Sequence, residues 1–188
     1  VYQGFILLFA KNIPNPRQVV DPVLANLRKE VESVCEGMST DAMARHSEGK
    51  WSAAEVLEHL SLTYGGTIKG FQRCLQAGKP LATAATLRSR IGAYVVTSLG
   101  YLPEGRTAPE NTKPKGKSME MVRDTIGPLI AEMDELIGNC ERLYGSSICL
   151  LDHPIIGPLT ARQWRRFHWI HGKHHLKQIK RLRETQRS

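Results

Sequence analysis

The sequence predicts an all-α fold: a four-helix bundle with an extra short helix and a long loop in its middle. Two observations carry this. Four long stretches place apolar residues every third or fourth position, the period of an amphipathic helix. No stretch alternates apolar and polar residues as a half-buried strand would, and there is no repeat and no sustained heptad. Helices of roughly 17 to 28 residues without strand partners bury their stripes best against one another, as a bundle. The 188 residues suffice for a full core without cross-links, and residues 1–188 read as one domain.

Taken in order, residues 1–18 are expected to be an irregular N-terminal segment, because Pro14 and Pro16 interrupt any regular element after the short apolar run Tyr2–Ala10. That run is too short to span a bilayer and has no basic region before it, so neither a transmembrane helix nor a signal peptide is expected. Val20, Val23, Leu24, Leu27, Val31 and Val34 predict a first helix over residues 19–35, with Gly37 as its stop. Ser52 and Glu55 form a capping-box pair that opens a second helix, with Trp51 just before it and Gly78-Lys79-Pro80 at its end. Gly65 and Gly66 in its middle suggest close packing or a bend. A weaker helix is expected over 82–99 around Leu87, Ile91, Val95 and Leu99. Three prolines and two glycines make 101–117 the long loop. Residues 119–143 regain a strong helical period up to Gly145, with a kink expected at Pro128.

The last helix starts at Thr160, an N-cap with Gln163 in the capping-box position. Residues 152–187 hold five of the seven histidines. At about 100° per residue, His171 and His175 point only about 40° apart on successive turns and can aim at one point in front of the helix. A core filled with neutral imidazoles is the plain alternative. His59, between apolar neighbours in the second helix, is the candidate to complete a three-nitrogen set for a divalent metal with an open fourth position. Zinc suits such a set best, and nickel or iron are compatible with it. His168 lies near the same line as His175 and is a candidate ligand, base or hydrogen-bond donor. Glu55 shares the face of His59 and could orient it or carry a proton. His153, before Pro154, is a candidate proton donor or a turn anchor. Gln178 and Lys173 are candidate cofactor contacts, and His174 is expected at the rim.

The formal charge of +8 is concentrated in residues 161–188, with nine Lys/Arg against Glu184 alone. With no recognition motif or phosphate loop alongside it, this reads as a solvated face, with Arg165, Lys173 and Lys177 framing a site for an anionic small molecule rather than nucleic acid. The four cysteines lack any CxxC pairing and read as reduced, mostly buried thiols of a cytoplasmic protein.

The order Trp51-Ser52-x-x-Glu55-x-x-x-His59-Leu60, then His171-x-x-x-His175-x-x-Gln178, resembles the DinB/YfiT-like superfamily of helical-bundle metalloenzymes. The HPxxGxLTxxQW segment at 153–164 and the histidine run at 168–175 look like an uncharacterised bacterial branch of it. The likeness spans roughly residues 20 to 183. It implies a four-helix bundle holding a divalent metal through His59, His171 and His175. It also implies an enzyme: a transferase using a low-molecular-weight thiol on a small electrophile, or a metal-dependent hydrolase. A non-catalytic metal-binding or dimeric scaffold bundle is the third reading. Leu176-Lys177 stand where much of the superfamily has Arg-Gly, so catalytic detail does not carry over.

Overall fold

The computed structural model describes residues 21–46, 49–102 and 107–185. The irregular segment expected over residues 1–18 lies outside them. Among the described residues there are six α-helices, α1 (Pro22–Val34), α2 (Thr40–Ala44), α3 (Ala53–Ala77), α4 (Leu87–Thr97), α5 (Met119–Tyr144) and α6 (Ala161–Thr185), with a 3-10 turn at Glu110–Thr112 and a short hairpin, β1 (Cys149–His153) and β2 (Gly157–Thr160), between α5 and α6. The fold is the predicted bundle. α3 packs along α5, α5 against α1, α1 against α6 and α6 against α3, while α4 lies outside on α6 and β2.

Local chemistry sets the helix ends. The Asp21 carboxylate accepts from the Val23 amide at 2.9 Å, with Pro22 at the first helical position. Ser52 and Glu55 bond reciprocally at 2.8 and 3.2 Å as the expected capping box, and Gly78 closes α3 in the left-handed conformation. Thr160 and Gln163 do the same for α6, at 2.9 and 3.3 Å. α4 begins at Thr86, whose side chain pairs with Ser89, and so is shorter than the 82–99 span expected. α5 runs on through Pro128 to Gly145.

Leu24, Leu27, Leu57, Leu60, Phe71, Ile130, Met133, Ile137 and Ile179 are buried where the four helices meet. Burying each such side chain stabilises the fold by about 1.5–3 kcal/mol before entropy is subtracted. Two glycines let elements approach. A Cβ on Gly172 of α6 would stand 2.5 Å from Leu27 Cδ1 on α1, and one on Gly70 of α3 would stand 2.3 Å from Leu151 Cδ2 on β1. Gly65 and Gly66, read from sequence as marking close packing or a bend, face open space and so make no close approach.

The hairpin corrects the expectation of no sheet. β1 and β2 pair antiparallel, with Leu151 opposite Leu159, His153 opposite Gly157 and an irregularity between Cys149 and Leu151. Gly157 takes a φ of +89°, which a residue with a Cβ resists. Leu150 and Leu159 are fully buried against the bundle end, and the Trp164 indole N–H donates to the Leu151 carbonyl at 3.2 Å. Strands of five and four residues are too short to show a period, and Pro154 and Gly157 read as punctuation alone.

Candidate metal centre

Three imidazoles from two helices converge on one point. His171 and His175 occupy successive turns of α6, and His59 faces them from α3. His171 Nε2 lies 3.0 Å from His175 Nε2 and 3.3 Å from His59 Nε2. The three ligand atoms all lie within 4.8 Å of one another. Nitrogens bonded to one tetrahedral ion at ~2.0–2.1 Å would stand ~3.3–3.4 Å apart, close to the two short separations.

The outer ring nitrogens fix the tautomers. His59 Nδ1 lies 2.8 Å from the Thr112 carbonyl, which only accepts, so Nδ1 carries the proton and Nε2 is a lone pair. His175 Nδ1 lies 2.8 Å from Gln178 Oε1, with the same consequence. His171 can therefore supply at most one proton among three facing nitrogens. Its own Nδ1 is buried without a hydrogen-bond partner among the described residues, while its ring stacks on Phe167 with centroids 5.3 Å apart. Burial lowers the pKa of all three. For His59 the Thr112 carbonyl partly offsets this. His175 falls to about 4, with His59 nearby adding to the effect, and His171 falls well below its ordinary value, helped by His175 and His59. Neutral imidazoles with lone pairs aimed inward are the donor set of a divalent cation, and the triad is a potential metal-binding site.

Residues 24–182 match a family described as "Protein of unknown function (DUF1569)". The chain belongs to that family. No curated protein and no solved structure matches it. This member of the family is a predominantly helical bundle with one short hairpin and a clustered histidine triad between α3 and α6.

The remaining expected residues divide by depth. His168 is fully buried, with Nε2 3.1 Å from the Thr67 hydroxyl and its ring stacked on Trp164, and burial lowers its pKa to about 3. His153 packs on Phe167 at 4.3 Å between ring centroids, and its Nδ1 accepts from the Ile155 and Ile156 amides at 3.2 Å. Burial takes its pKa to about 4. Neither borders the open cleft, which meets the triad through wall residues that contact His59 and His175. Glu55, Trp51, His174, Gln178 and Trp169 border it. Trp51, with its ring centroid 5.1 Å from that of His59, and Gln178, bonded to His175, are wall residues that touch the triad. The Glu55 carboxylate also caps Ser52 and stands 3.4 Å from His46 Nδ1.

Lys173 and Lys177 line this cleft with Lys50, Lys113 and Arg181. Lys173 is paired with Glu30 at 2.5 Å and Lys113 with Glu110 at 2.6 Å. Arg165, expected to frame the site, instead bonds Asp134 at 2.7 Å and Glu141 at 2.6 Å between α5 and α6. Asp134 is buried and draws it inward. The reading from sequence also missed Thr112 and Glu58. Thr112 acts through its backbone carbonyl, which no side-chain pattern reveals. Glu58, beside His59, is buried and accepts from three backbone amides of residues 115–117. A carboxylate inside an apolar helix stripe was the available signal. Among the described residues, no helix is long and apolar enough to cross a membrane.

Proposed function

We propose that the chain is a divalent-metal-dependent enzyme, related to the DinB/YfiT-like superfamily, that transfers a low-molecular-weight thiol to a small electrophilic substrate. The observation that carries the reading is the convergence of three Nε2 atoms, two of them fixed as lone pairs by Thr112 and Gln178. Three protein nitrogens leave a further coordination position in a tetrahedral site, the mark of a catalytic rather than a structural centre. A cation held there supplies positive charge that favours the deprotonated form of a bound thiol or water.

The chain's own groups do the rest. Trp51 and Trp169 give the cleft an apolar wall, while Lys50, Lys177 and Arg181, with no ion-pair partner among the described residues, give it a positive rim. That rim supports an anionic ligand. Glu55, with its carboxylate at the cleft wall, is the acceptor for the proton released from the nucleophile. The amide of Gln178 joins His175 to His174, whose Nε2 lies 3.1 Å from Gln178 Nε2, and so ties a triad imidazole to one at the cleft wall. His168 and His153 hold the triad's apolar backing in place.

The test is metal titration of the purified protein with zinc, nickel and ferrous ions, followed by assays of thiols with electrophiles and of esters without thiol. One ion per chain, lost in His171→Ala while the helical content persists, together with thiol-dependent consumption of the electrophile, is the expected result. Ester cleavage without thiol would move the reading to a hydrolase, and binding without turnover to a non-catalytic bundle. Absence of any metal binding by the native protein would overturn the whole assignment.

A further inference from the structure

Glu58 is 2% exposed, and among the described residues no Lys or Arg side chain pairs with it. Its charge is met by backbone instead. The Lys115 amide donates to Oε1 at 2.9 Å, and the Gly116 and Lys117 amides donate to Oε2 at 3.0 and 3.1 Å. Three successive amides turn toward one carboxylate because Gly116 takes a φ of +80°. The next residue on α3 is His59, and three residues before Lys115 is Thr112, whose carbonyl receives the His59 Nδ1–H. One strap, residues 112–117, is therefore held at two consecutive positions of one helix. The first grip carries the charge-assisted bonds, and the second sets a ligand's tautomer.

We propose that Glu58 is a positioning residue of the metal centre: it clamps the 112–117 strap so that the Thr112 carbonyl keeps the His59 proton on Nδ1 and leaves Nε2 free for the cation. This rests on the metal reading above. Gln at position 58 has the right shape but only one acceptor oxygen, so at least one of the three amides faces an NH2 group and the strap loosens. Outer partners of ligating histidines commonly contribute 10- to 100-fold in metal affinity, the range expected here.

The experiment measures two quantities in native protein, Glu58→Gln, Gly116→Ala and their double variant. One is zinc affinity by competition with a chromophoric chelator. The other is the His59 tautomer in the metal-free protein, read from ring nitrogen shifts. Gly116→Ala strains the strap from its other end, since an added Cβ meets nothing within 4 Å but the positive φ is unfavourable. Gly70→Ala, which crowds Leu151 far from the strap, is the control for general loss of stability.

The expected result is about a 10- to 100-fold loss of zinc affinity in each strap variant, less than the product of the two losses in the double variant, and a shift of His59 away from its Nδ1–H form. Gly70→Ala lowers the melting temperature and leaves both readouts unchanged. Unchanged tautomer and affinity in both strap variants would overturn the proposal and leave Glu58 as an anchor for the start of α5. If native protein binds no zinc, the metal reading fails separately, and the tautomer alone still decides whether the strap acts on His59.

Discussion

Gln178 shows how much a single side chain fixes. Its Oε1 accepts from His175 Nδ1, and its Nε2 faces His174 Nε2, so one amide orients a triad imidazole and a cleft imidazole together. Gln178→Ala is expected to weaken zinc binding about 10- to 100-fold with little change in helical content, measured by chelator competition and circular dichroism. An unchanged affinity would mean that packing alone orients His175. His168 has the opposite character: sealed in the core, it registers in stability. The unfolded chain takes up its proton near pH 6.5, whereas the folded chain resists until about 3. Its contribution is complete above pH 6.5 and is lost as pH falls from there toward 3. His153, lowered to about 4, acts in the same direction. Each unit of depression is about 1.4 kcal/mol, so urea unfolding of metal-free protein should show stability level at pH 7–8 and falling steeply below about pH 6. Replacing His168 by Phe should flatten that slope.

At the scale of elements, α6 is held against α1 by an absence. Gly172 lets Leu27 lie where a methyl group would be, and Leu27 is itself fully buried and cannot swing aside. Gly172→Ala is expected to cost about 1–3 kcal/mol in urea unfolding, as overpacking does. Which glycine does this could not be read from the sequence. Gly65 and Gly66 form a conspicuous pair yet face open space, while Gly70 and Gly172 look unremarkable and make the close approaches. Helices were legible because their signals are local: Ser52 with Glu55 and Thr160 with Gln163 mark starts within one turn, and Gly78 and Gly145 mark stops. The hairpin was not, because its strands are shorter than any period and are held by contacts from Leu81 and Trp164 outside them. The pair His171/His175 follows from spacing on one helix. That His59 faces it depends on how α3 and α6 pack, and the apolar neighbours of His59 gave the correct face. Lys173 and Lys177 at the cleft were legible on the same helix as the pair, whereas the Thr112 carbonyl, Lys50 and Lys113 come from segments distant in sequence, beyond the reach of periodicity.

The whole molecule arranges four helices so that the histidine cluster lies between α3 and α6 beside a largely apolar core. α1 and α5 complete the core behind it, with Arg165, Asp134 and Glu141 tying α5 to α6 at the side. A divalent ion held by the cluster would stabilise the whole fold, because the unfolded chain has no such convergence. At a free ion concentration one hundred times the dissociation constant, the native state gains about 2.7 kcal/mol. The most direct measurement is X-ray absorption at the zinc edge of the protein loaded with one equivalent, compared with His59→Ala. The account predicts three imidazole nitrogens at ~2.0–2.1 Å plus one exchangeable oxygen or sulfur ligand, with one imidazole fewer in the variant. An identical first shell in the two proteins, or a shell without imidazole, would contradict it.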